Sequence, residues 1–236
     1  MNVLALDTCD ASGSIALLQA DSVVQVEAHL VPDDYSSWLL PAVKRVLSTG
    51  ETDLGAIDLF AVAAGPGSFT GVRVGLTTTK AWGEIYRRPI AAVSRLEALA
   101  EESSGSSRYV GAFFDARRGQ VFAALYRRDS TLRQIDDEAV IAPEEFLRWC
   151  ESQVGTETID WVSTQPACLT QLPGWKERLA RGETVQAFAN PLAPRIGRIG
   201  FRLAKAGRLT DALHLDANYI RRSDAEIFWK GAAHGS

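Results

Sequence analysis

The chain has 236 residues, of which 46% are hydrophobic and 23% charged, with a net charge of −4; this is typical of a soluble globular protein with one large domain or two of ordinary size. Its three cysteines, Cys9, Cys150 and Cys168, are too few and too scattered for a disulfide framework or a Cys-x-x-Cys pair. No apolar run approaches the ~20 residues of a membrane span, and "MNVLALDTCD" lacks the features of a secretory signal, so we expect a cytoplasmic protein with reduced thiols.

The first hundred residues predict three strands followed by alternating helices and strands. "NVLALD", "SGSIALLQ" and "SVVQVEAHL" are strand-like runs separated by turn residues. Polar residues at Asp33, Asp34 and Ser36 begin a helix with apolar residues at helical spacing, which Pro41 either opens or kinks. "AIDLFAVAAG" is nearly all apolar, as is typical of a strand buried on both faces. A glycine loop, a second helix, the strand "PIAAVS" and a short helix from Arg95 complete a βββαβα pattern.

The second half repeats this order after "EESSGSSR", residues 101–108, whose polar Ser/Gly composition predicts a linker. "YVGAFFDARRGQVFAALYRR" contains two strands with a tight turn at Arg118–Gly119, and "TLRQIDDEAVI" is a candidate third strand. "PEEFLRWCES" starts a helix with Pro143 at its first position. "IDWVS" follows as another short strand.

The two halves show a weak internal duplication. In "LALDTCDASGSIALL" and "GAFFDARRGQVFAALY" an apolar strand ends in an aspartate, Asp7 or Asp115, and a turn with glycine leads to a second apolar strand. We therefore predict two similar α/β subdomains, residues 1–104 and 108–225, followed by a flexible tail at 226–236.

The glycine loop "AGPGSFTGVR" matches neither the Walker A nor the dinucleotide-binding fingerprint, and it is not a nucleophile elbow. A Walker A loop needs Gly-x-x-x-x-Gly-Lys-Ser/Thr, but counting from Gly65 puts Thr70 at the second glycine, and Val-Arg follows Gly71. The dinucleotide fingerprint fails from Gly67 in the same way, and Ser68 lacks the flanking glycines of a nucleophile elbow. Two interpretations remain: a loop at a helix N-terminus whose free N–H groups bind an anion, or a tight turn without a ligand.

The helix after the loop has a small residue at every fourth position: Gly71, Gly75, Thr79 and Gly83. A glycine inside a helix costs about 1 kcal/mol relative to alanine, so we expect the stripe to permit close approach of another backbone. That backbone belongs either to this chain's own sheet or to a helix of another protein, and the stripe alone does not choose between them.

Metal-binding patterns are absent from the sequence. The chain has three histidines: His29, His214 and His234. No two of them have the i, i+3 or i, i+4 spacing of helix-borne ligands, so no zinc or iron site is predicted. Asp7 and Asp115 stand at strand ends, where acids of two-lobed nucleotide-binding folds flank the phosphates and magnesium. We interpret Asp115 as a cap of its own turn and keep Asp7 with Thr8, together with Gly65, Gly67 and Ser68, as candidate nucleotide or anion contacts.

Charge is distributed unevenly along the chain. Residues 1–106 have a net charge of −6, and the remainder has +2. Seven basic residues stand against two acidic ones within 195–222: Arg195, Arg198, Arg202, Lys205, Arg208, Arg221 and Arg222 against Asp211 and Asp216. Such a stripe is either a solvated helix face or a nucleic-acid contact, for which Arg195, Arg198 and Arg202 are the candidates.

Four segments together resemble one known family. "LALDT", "AGPGSFTGVRVGLTTTKA", "DARRGQVFAALY" and "YIRRSDAE" are similar, in the right order over nearly the whole chain, to segments of the bacterial TsaB (YeaZ) family. Its members are accessory subunits for making threonylcarbamoyladenosine next to the tRNA anticodon. The resemblance implies the duplicated α/β fold of actin, hexokinase and the Hsp70 ATPase domain (the ASKHA fold). The sequence departs from the family pattern at three places: Tyr35-Ser36, Cys9 and Ala217-Asn218. These departures bear on the details of partner binding more than on membership of the family.

The resemblance further implies a pseudo-enzyme with no catalytic residue, metal or intrinsic cofactor. The TsaD-type catalytic subunit of the family has a metal-binding His-x-x-x-His pair that this sequence lacks. A TsaE-type ATPase joins that assembly, so ATP acts in the complex and tRNA is bound through it. First-domain helices pair with the catalytic subunit, and the matching segments here are Trp38–Leu47 and Gly71–Tyr86. The implied interface residues are Trp38, Leu39, Val43, Leu47, Gly71, Val72, Gly75, Leu76, Thr79 and Gly83.

Two other functions and a homodimer are the alternatives to this assembly. An ATP-dependent small-molecule kinase of the same fold would use Asp7 to hold magnesium, although the second phosphate motif is missing and a short chain leaves little room for a substrate cleft. A hydrolase or metallopeptidase lacks the histidines it needs. A homodimer through the same helices is a further alternative, because their apolar face would otherwise lack a partner.

Overall fold

The computed structural model describes residues 1–29, 35–189, 191–218 and 220, which form two mixed β-sheets with helices packed on them. The strands of the first sheet are β1 (Asn2–Asp7), β2 (Ser14–Gln19), β3 (Ser22–Ala28), β4 (Leu59–Ala63) and β5 (Ile90–Val93), in the spatial order β3-β2-β1-β4-β5. The second sheet contains β6 (Tyr109–Arg117), β7 (Gln120–Arg128), β8 (Leu132–Gln134), β9 (Ala139–Ile141), β10 (Ile159–Ser163) and β11 (Val185–Ala187). Its order is β11-β10-β6-β7-β8, with β9 also paired to β7.

The helices in the described part of the chain are α1 (Tyr35–Thr49), α2 (Phe69–Tyr86), α3 (Arg95–Ala100), α4 (Pro143–Val154), α5 (Ala167–Thr170), α6 (Trp175–Ala180) and α7 (Ala193–Lys205), with a 3-10 turn at Leu54–Ala56. The predicted βββαβα order of the first half is confirmed. Pro41 lies inside α1, whereas the predicted start residues Asp33 and Asp34 lie outside the described residues. None of the described helices is long and apolar enough to cross a membrane.

The β6–β7 hairpin has the turn that the sequence predicts. Arg118 and Gly119 have φ values of 56° and 70°, the positive pair required at the centre of a type I′ turn. Asp115 Oδ1 accepts a hydrogen bond from the Arg117 N–H at 2.7 Å, so this aspartate caps its own turn. The candidate third strand differs from the prediction because "TLRQIDDEAVI" forms two short strands, β8 and β9, that both pair with β7.

Parallel pairing in the first sheet determines where polar residues meet. β1 pairs with β4 and β4 pairs with β5, all parallel. Their carboxyl ends therefore lie at one edge of the sheet, where ligands of open α/β sheets are bound. Asp7 ends β1, the glycine loop follows β4, and Ser94 follows β5.

Helix α7 follows the second sheet in the chain but packs on the first. A Cβ added to Gly197 would lie 2.3 Å from Leu18 Cδ1, and one added to Gly200 would lie 2.7 Å from Ala61 Cβ. Glycine at these two positions permits the close approach of helix and sheet. The division into 1–104 and 108–225 stays a prediction, and the tail at 226–236 lies outside the described residues.

The polar stretch predicted as a linker is tied to the second sheet. The Ser104 N–H and hydroxyl both donate to Gln186 Oε1, at 2.8 and 2.9 Å. Arg128 donates to the Ser107 carbonyl at 3.2 Å and to Ser103 Oγ at 3.3 Å. These hydrogen bonds hold the connection between the two sheets in one conformation, unlike a free Ser/Gly linker.

Candidate functional site

The candidate site lies at the carboxyl edge of the first sheet and is centred on a buried ion pair. Arg95 Nε donates to Asp7 Oδ2 at 3.0 Å, and the other Asp7 oxygen accepts from the Cys9 N–H at 3.0 Å. The side chains of Arg95 and Asp7 are only 4% and 2% exposed. Arg95 Cζ lies 4.3 Å from the centroid of the Phe114 ring, so β6 of the second sheet closes the pair from the other side.

The protonation of this cluster follows from its charges. Burial disfavours the charged form of Arg95, but the negative charges of Asp7 and Asp10 outweigh burial and raise the pKa of the guanidinium above its usual value. Burial, followed by the charge of Asp7, raises the pKa of the Cys9 thiol well above its usual value. The thiol is therefore neutral, and a neutral buried cysteine is a poor nucleophile.

The glycine loop is held to the β1–β2 turn through its backbone. The Ser68 N–H donates to the Cys9 carbonyl at 2.6 Å, and a Cβ on Gly67 would lie 2.3 Å from the same oxygen. Ser68 Oγ accepts from the Gly71 N–H at 3.4 Å and caps α2. Two loop N–H groups that an anion could have used are thus bonded within the chain.

Asn218 covers the loop at Gly65. The Asn218 N–H donates to the Ala64 carbonyl at 2.8 Å, and a Cβ on Gly65, whose φ is 118°, would lie 2.9 Å from the Asn218 carbonyl oxygen. Asn218 Nδ2 donates to Glu138 Oε2 at 2.7 Å, and the Ser94 hydroxyl donates to the other oxygen of Glu138. Burial raises the pKa of Glu138, against the hydrogen bonds from Ser94 and Asn218.

The structure brings the five candidate nucleotide contacts together at this edge: Asp7, Thr8, Gly65, Gly67 and Ser68. Their polar groups, however, bind one another and the rest of the chain. Asp7 is paired with Arg95, and the Thr8 hydroxyl donates to the Gly71 carbonyl at 2.7 Å. The residues present therefore do not fit the magnesium-bound nucleotide that the fold implies, because the acid that would face the magnesium is already neutralised.

The stripe of small residues on α2 packs on the chain's own first sheet, the first of the two alternatives. A Cβ on Gly71 would lie 2.1 Å from the Thr8 carbonyl oxygen, and one on Gly75 would lie 2.6 Å from Thr8 Oγ1. A Cβ on Gly83 would lie 2.8 Å from Ile90 Cδ1. The glycines therefore serve the contact of α2 with Thr8, the residue after β1, and with strand β5.

The predicted interface residues lie mostly on the inner faces of α1 and α2, and their role in binding a partner stays a prediction. Of the ten, Trp38 is half-buried. The other nine are buried within this chain: Leu39, Val43, Leu47, Gly71, Val72, Gly75, Leu76, Thr79 and Gly83. The periodicity identified the inner faces of the two helices, and a partner could reach these only by displacing the helices from the sheet. The outer faces expose other apolar residues: Leu40 at 59%, Ile85 at 70% and Phe69 at 37%.

The three arginines considered for tRNA are engaged within the chain. Arg195 forms ion pairs with Glu101 and Glu102, and Arg202 forms ion pairs with Glu97 and Glu101. Arg198 donates a hydrogen bond to the Asp21 carbonyl. The ion pairs of Arg195 and Arg202 join α7 to the end of α3. Their role in tRNA binding stays a prediction, and Arg221 and Arg222 lie outside the described residues.

The two histidines within the described residues, His29 and His214, have separate surroundings. His29 is buried, His214 Nδ1 lies 2.8 Å from Asp211 Oδ1, and His234 lies outside the described residues. Within the described ranges, no group of three or more His, Cys, Asp or Glu side chains is placed to hold a metal ion.

Comparison with known proteins identifies relatives along nearly the whole chain. The family model of TsaD, described as tRNA N6-adenosine threonylcarbamoyltransferase, matches residues 28–188. The Bacillus subtilis tRNA threonylcarbamoyladenosine biosynthesis protein TsaB is 31% identical over 238 residues, covering 97% of this chain and 98% of the relative. A crystal structure from Pseudomonas aeruginosa, of a protein described as similar to peptidase YEAZ, has a TM-score of 0.74 at 27% identity and covers 93% of this chain and 99% of that chain.

A more distant structure bears on the fold alone. The activator of 2-hydroxyisocaproyl-CoA dehydratase from Clostridium difficile, with bound ADPNP, has a TM-score of 0.51 at 8% identity and covers 88% of this chain and 97% of that chain. This likeness confirms the predicted ASKHA fold. The shared fold does not imply that this chain binds the nucleotide found in that structure, because a fold does not imply a function.

Proposed function

This chain belongs to the TsaB (YeaZ) family of tRNA threonylcarbamoyladenosine biosynthesis proteins, and on this premise we propose that it is a non-catalytic subunit of a transferase complex. It supports transfer of a threonylcarbamoyl group to the adenosine next to the tRNA anticodon. A TsaD-type subunit performs the transfer, a TsaE-type ATPase joins the assembly, and tRNA is bound through the complex. ATP is used within that cytoplasmic complex and not by this chain.

The buried Asp7–Arg95 pair carries the non-catalytic part of this proposal. In an enzyme of this fold the acid at the end of the first strand faces magnesium-bound phosphates. Here an internal guanidinium, which does not lose its proton in proteins, lies on that carboxylate at 3.0 Å. Magnesium at Asp7 would displace this guanidinium and leave the buried Arg95 without its 3.0 Å partner, and a buried charge that loses its partner is strongly destabilising.

Calorimetry with ATP and magnesium tests this part. We expect the full chain alone to give no saturable heat up to about 1 mM nucleotide, which corresponds to a binding free energy weaker than about −4 kcal/mol. The TsaE-type ATPase, titrated under the same conditions, is the positive control. Tight binding with phosphorylation of a small-molecule acceptor by the isolated chain would instead identify a kinase.

The outer surface of α1 and α2 supports the scaffold part. Leu40 and Ile85 are 59% and 70% exposed, on helices that contact each other. An exposed apolar patch marks a protein–protein contact when its residues are contiguous, and the apolar centre of such a contact is covered in the complex. We place the contact with the TsaD-type subunit on this outer surface and not on the buried glycine stripe.

Replacing Ile85 by aspartate tests the location of this contact. Burying an isoleucine side chain contributes about 1.5–3 kcal/mol, and a buried unpaired carboxylate adds a desolvation cost, so affinity for the TsaD-type subunit should fall by at least tenfold. The melting temperature should stay unchanged, because Ile85 is exposed in the free chain. The control is Leu213→Asp, since Leu213 is 83% exposed but lies outside both helices. Equal affinities for the wild type and Ile85→Asp would place the partner elsewhere.

A further inference from the structure

The segment after α7 follows β5, the edge strand of the first sheet, from one end to the other. Thr210 pairs with Ile90, the first residue of β5, through two backbone hydrogen bonds of 2.8 and 2.9 Å. Eight residues later, the Asn218 N–H donates to the carbonyl of Ala64, whose own N–H donates to the last residue of β5. We call residues 210–218 the strap, because they end on the glycine loop at the carboxyl edge of the sheet.

One carboxylate of the second sheet holds the end of the strap. Glu138, directly before β9, accepts a hydrogen bond from the Asn218 side-chain amide at 2.7 Å and another from the Ser94 hydroxyl. Ser94 caps α3 in the first half of the chain, so three separate parts of the chain meet at Glu138. Leu215, in the middle of the strap, is 2% exposed and packs into the core around the first sheet. The strap is therefore anchored in its middle by apolar packing and at its end by polar contacts.

The contact between the two sheets beside Glu138 is polar as well. The Tyr126 hydroxyl of β7 is buried without a hydrogen-bond partner among the described residues. Burial, followed by the charges of Glu138 and Glu97, raises the pKa of this hydroxyl well above its usual value. A buried polar group without a partner gains hydrogen bonds when water reaches it. This side of the contact therefore opens at a lower free-energy cost than an apolar contact of the same area.

We propose that Glu138 is a latch that holds the end of the strap over the glycine loop, and that its release uncovers the loop and Cys9 beneath it while the rest of the chain stays folded. The latch thus controls access to the carboxyl edge of the first sheet. This inference goes beyond the proposed function, because it concerns the chain alone and needs no partner.

The native cysteines provide a readout of this opening. Cys9 is fully buried under the glycine loop, where a Cβ on Gly67 would lie 2.7 Å from Cys9 Cβ. Cys150 is equally buried, but in the core between α4 and the second sheet, and Cys168 is half-buried. N-ethylmaleimide should therefore label Cys168 first, Cys9 when the strap is released, and Cys150 only when the chain unfolds.

Urea separates the two kinds of opening in the wild-type protein. The response of an opening reaction to urea increases with the surface that it exposes. We expect the labelling rate of Cys9 to depend only weakly on urea and that of Cys150 to depend strongly on it, as followed by mass spectrometry of the labelled peptides. Equal rates and equal urea dependence at the two thiols would show that the loop opens only by unfolding, which overturns the inference without any variant.

An exchange of donor and acceptor tests the latch itself. At about pH 7.5, well above the usual pKa of a carboxyl group, Asn218→Asp sets a second carboxylate against that of Glu138. Loss of a hydrogen bond to a charged group, with repulsion added, should make the labelling of Cys9 roughly tenfold faster or more and leave Cys150 unchanged. In Glu138→Gln/Asn218→Asp an amide again faces a carboxylate, and the Gln oxygen can still accept from Ser94. The double variant should therefore return the labelling of Cys9 to the wild-type rate.

The matched control is Gln134→Ala. It removes a side-chain amide hydrogen bond of 2.8 Å, to the Asp136 carbonyl, that does not involve the strap. It should leave the labelling of all three cysteines unchanged. Wild-type labelling of Cys9 in Asn218→Asp would overturn the latch. Fast labelling that persists in the double variant would also overturn it, because the effect would then come from other contacts of Asn218 and not from Glu138.

Discussion

Replacing Arg95 by alanine is expected to lower the free energy of unfolding by about 3–5 kcal/mol, the largest effect that we predict for a single polar side chain. The variant leaves Asp7, with 2% of its side chain exposed, without its cation. It also removes the guanidinium from the Phe114 ring. Urea denaturation of both proteins, followed by tryptophan fluorescence, measures the difference.

A double variant separates the ion pair from simple loss of packing. Asp7→Asn/Arg95→Leu removes both charges and keeps most of the volume, and buried pairs replaced in this way are often neutral or more stable. It should therefore recover most of the stability lost in Arg95→Ala. A double variant as unstable as the single one would show that Arg95 acts mainly through packing.

Replacing Gly71 by alanine is expected to lower the free energy of unfolding by about 3 kcal/mol, as an overpacked buried contact does. The new Cβ would lie 2.1 Å from the Thr8 carbonyl oxygen, which is backbone and cannot rotate away. Alanine is a better helix former than glycine by about 1 kcal/mol, so intrinsic propensity alone predicts the opposite sign. The same denaturation experiment decides which effect is larger.

Two other glycines serve as controls for Gly71→Ala. A Cβ on Gly83 would meet the end of the Ile90 side chain at 2.8 Å, which can shift, so Gly83→Ala should be milder. No atom lies within 4 Å of a Cβ on Gly174, and its φ of −68° suits alanine, so Gly174→Ala should be neutral within about 0.5 kcal/mol. Equal effects at all three positions would contradict the role assigned to the Thr8 contact.

Much of the fold could be predicted because it follows from local patterns. The apolar run of β4 reads as a strand buried on both faces, and Ser68 and Ser94 are residues that cap the helices after them. The turn at Arg118–Gly119 follows from the same kind of local preference. Within the candidate site, Asp7 and the glycine loop were identifiable because Asp7 ends a predicted strand and the loop follows one.

The partners of these residues could not be predicted. Arg95 is 88 residues from Asp7, and Asn218 is 80 residues from Glu138. A contact between residues so far apart leaves no periodicity in a single sequence, because it depends on how the elements pack and not on the helical or strand repeat. The packing of α7 on the first sheet could not be predicted from the sequence for the same reason.

The sequence by itself determined the two-lobed α/β order, the family, and the need for a close backbone contact along one side of α2. Only the tertiary structure decided what meets that side and what meets Asp7. The glycine spacing shows that a Cβ does not fit there, but it does not show which atom excludes the Cβ. That atom, the Thr8 carbonyl oxygen, belongs to the residue after β1, and the sheet order brings it to α2. In the same way an aspartate at a strand end is open to magnesium or to arginine until the packing of α3 brings Arg95 onto it.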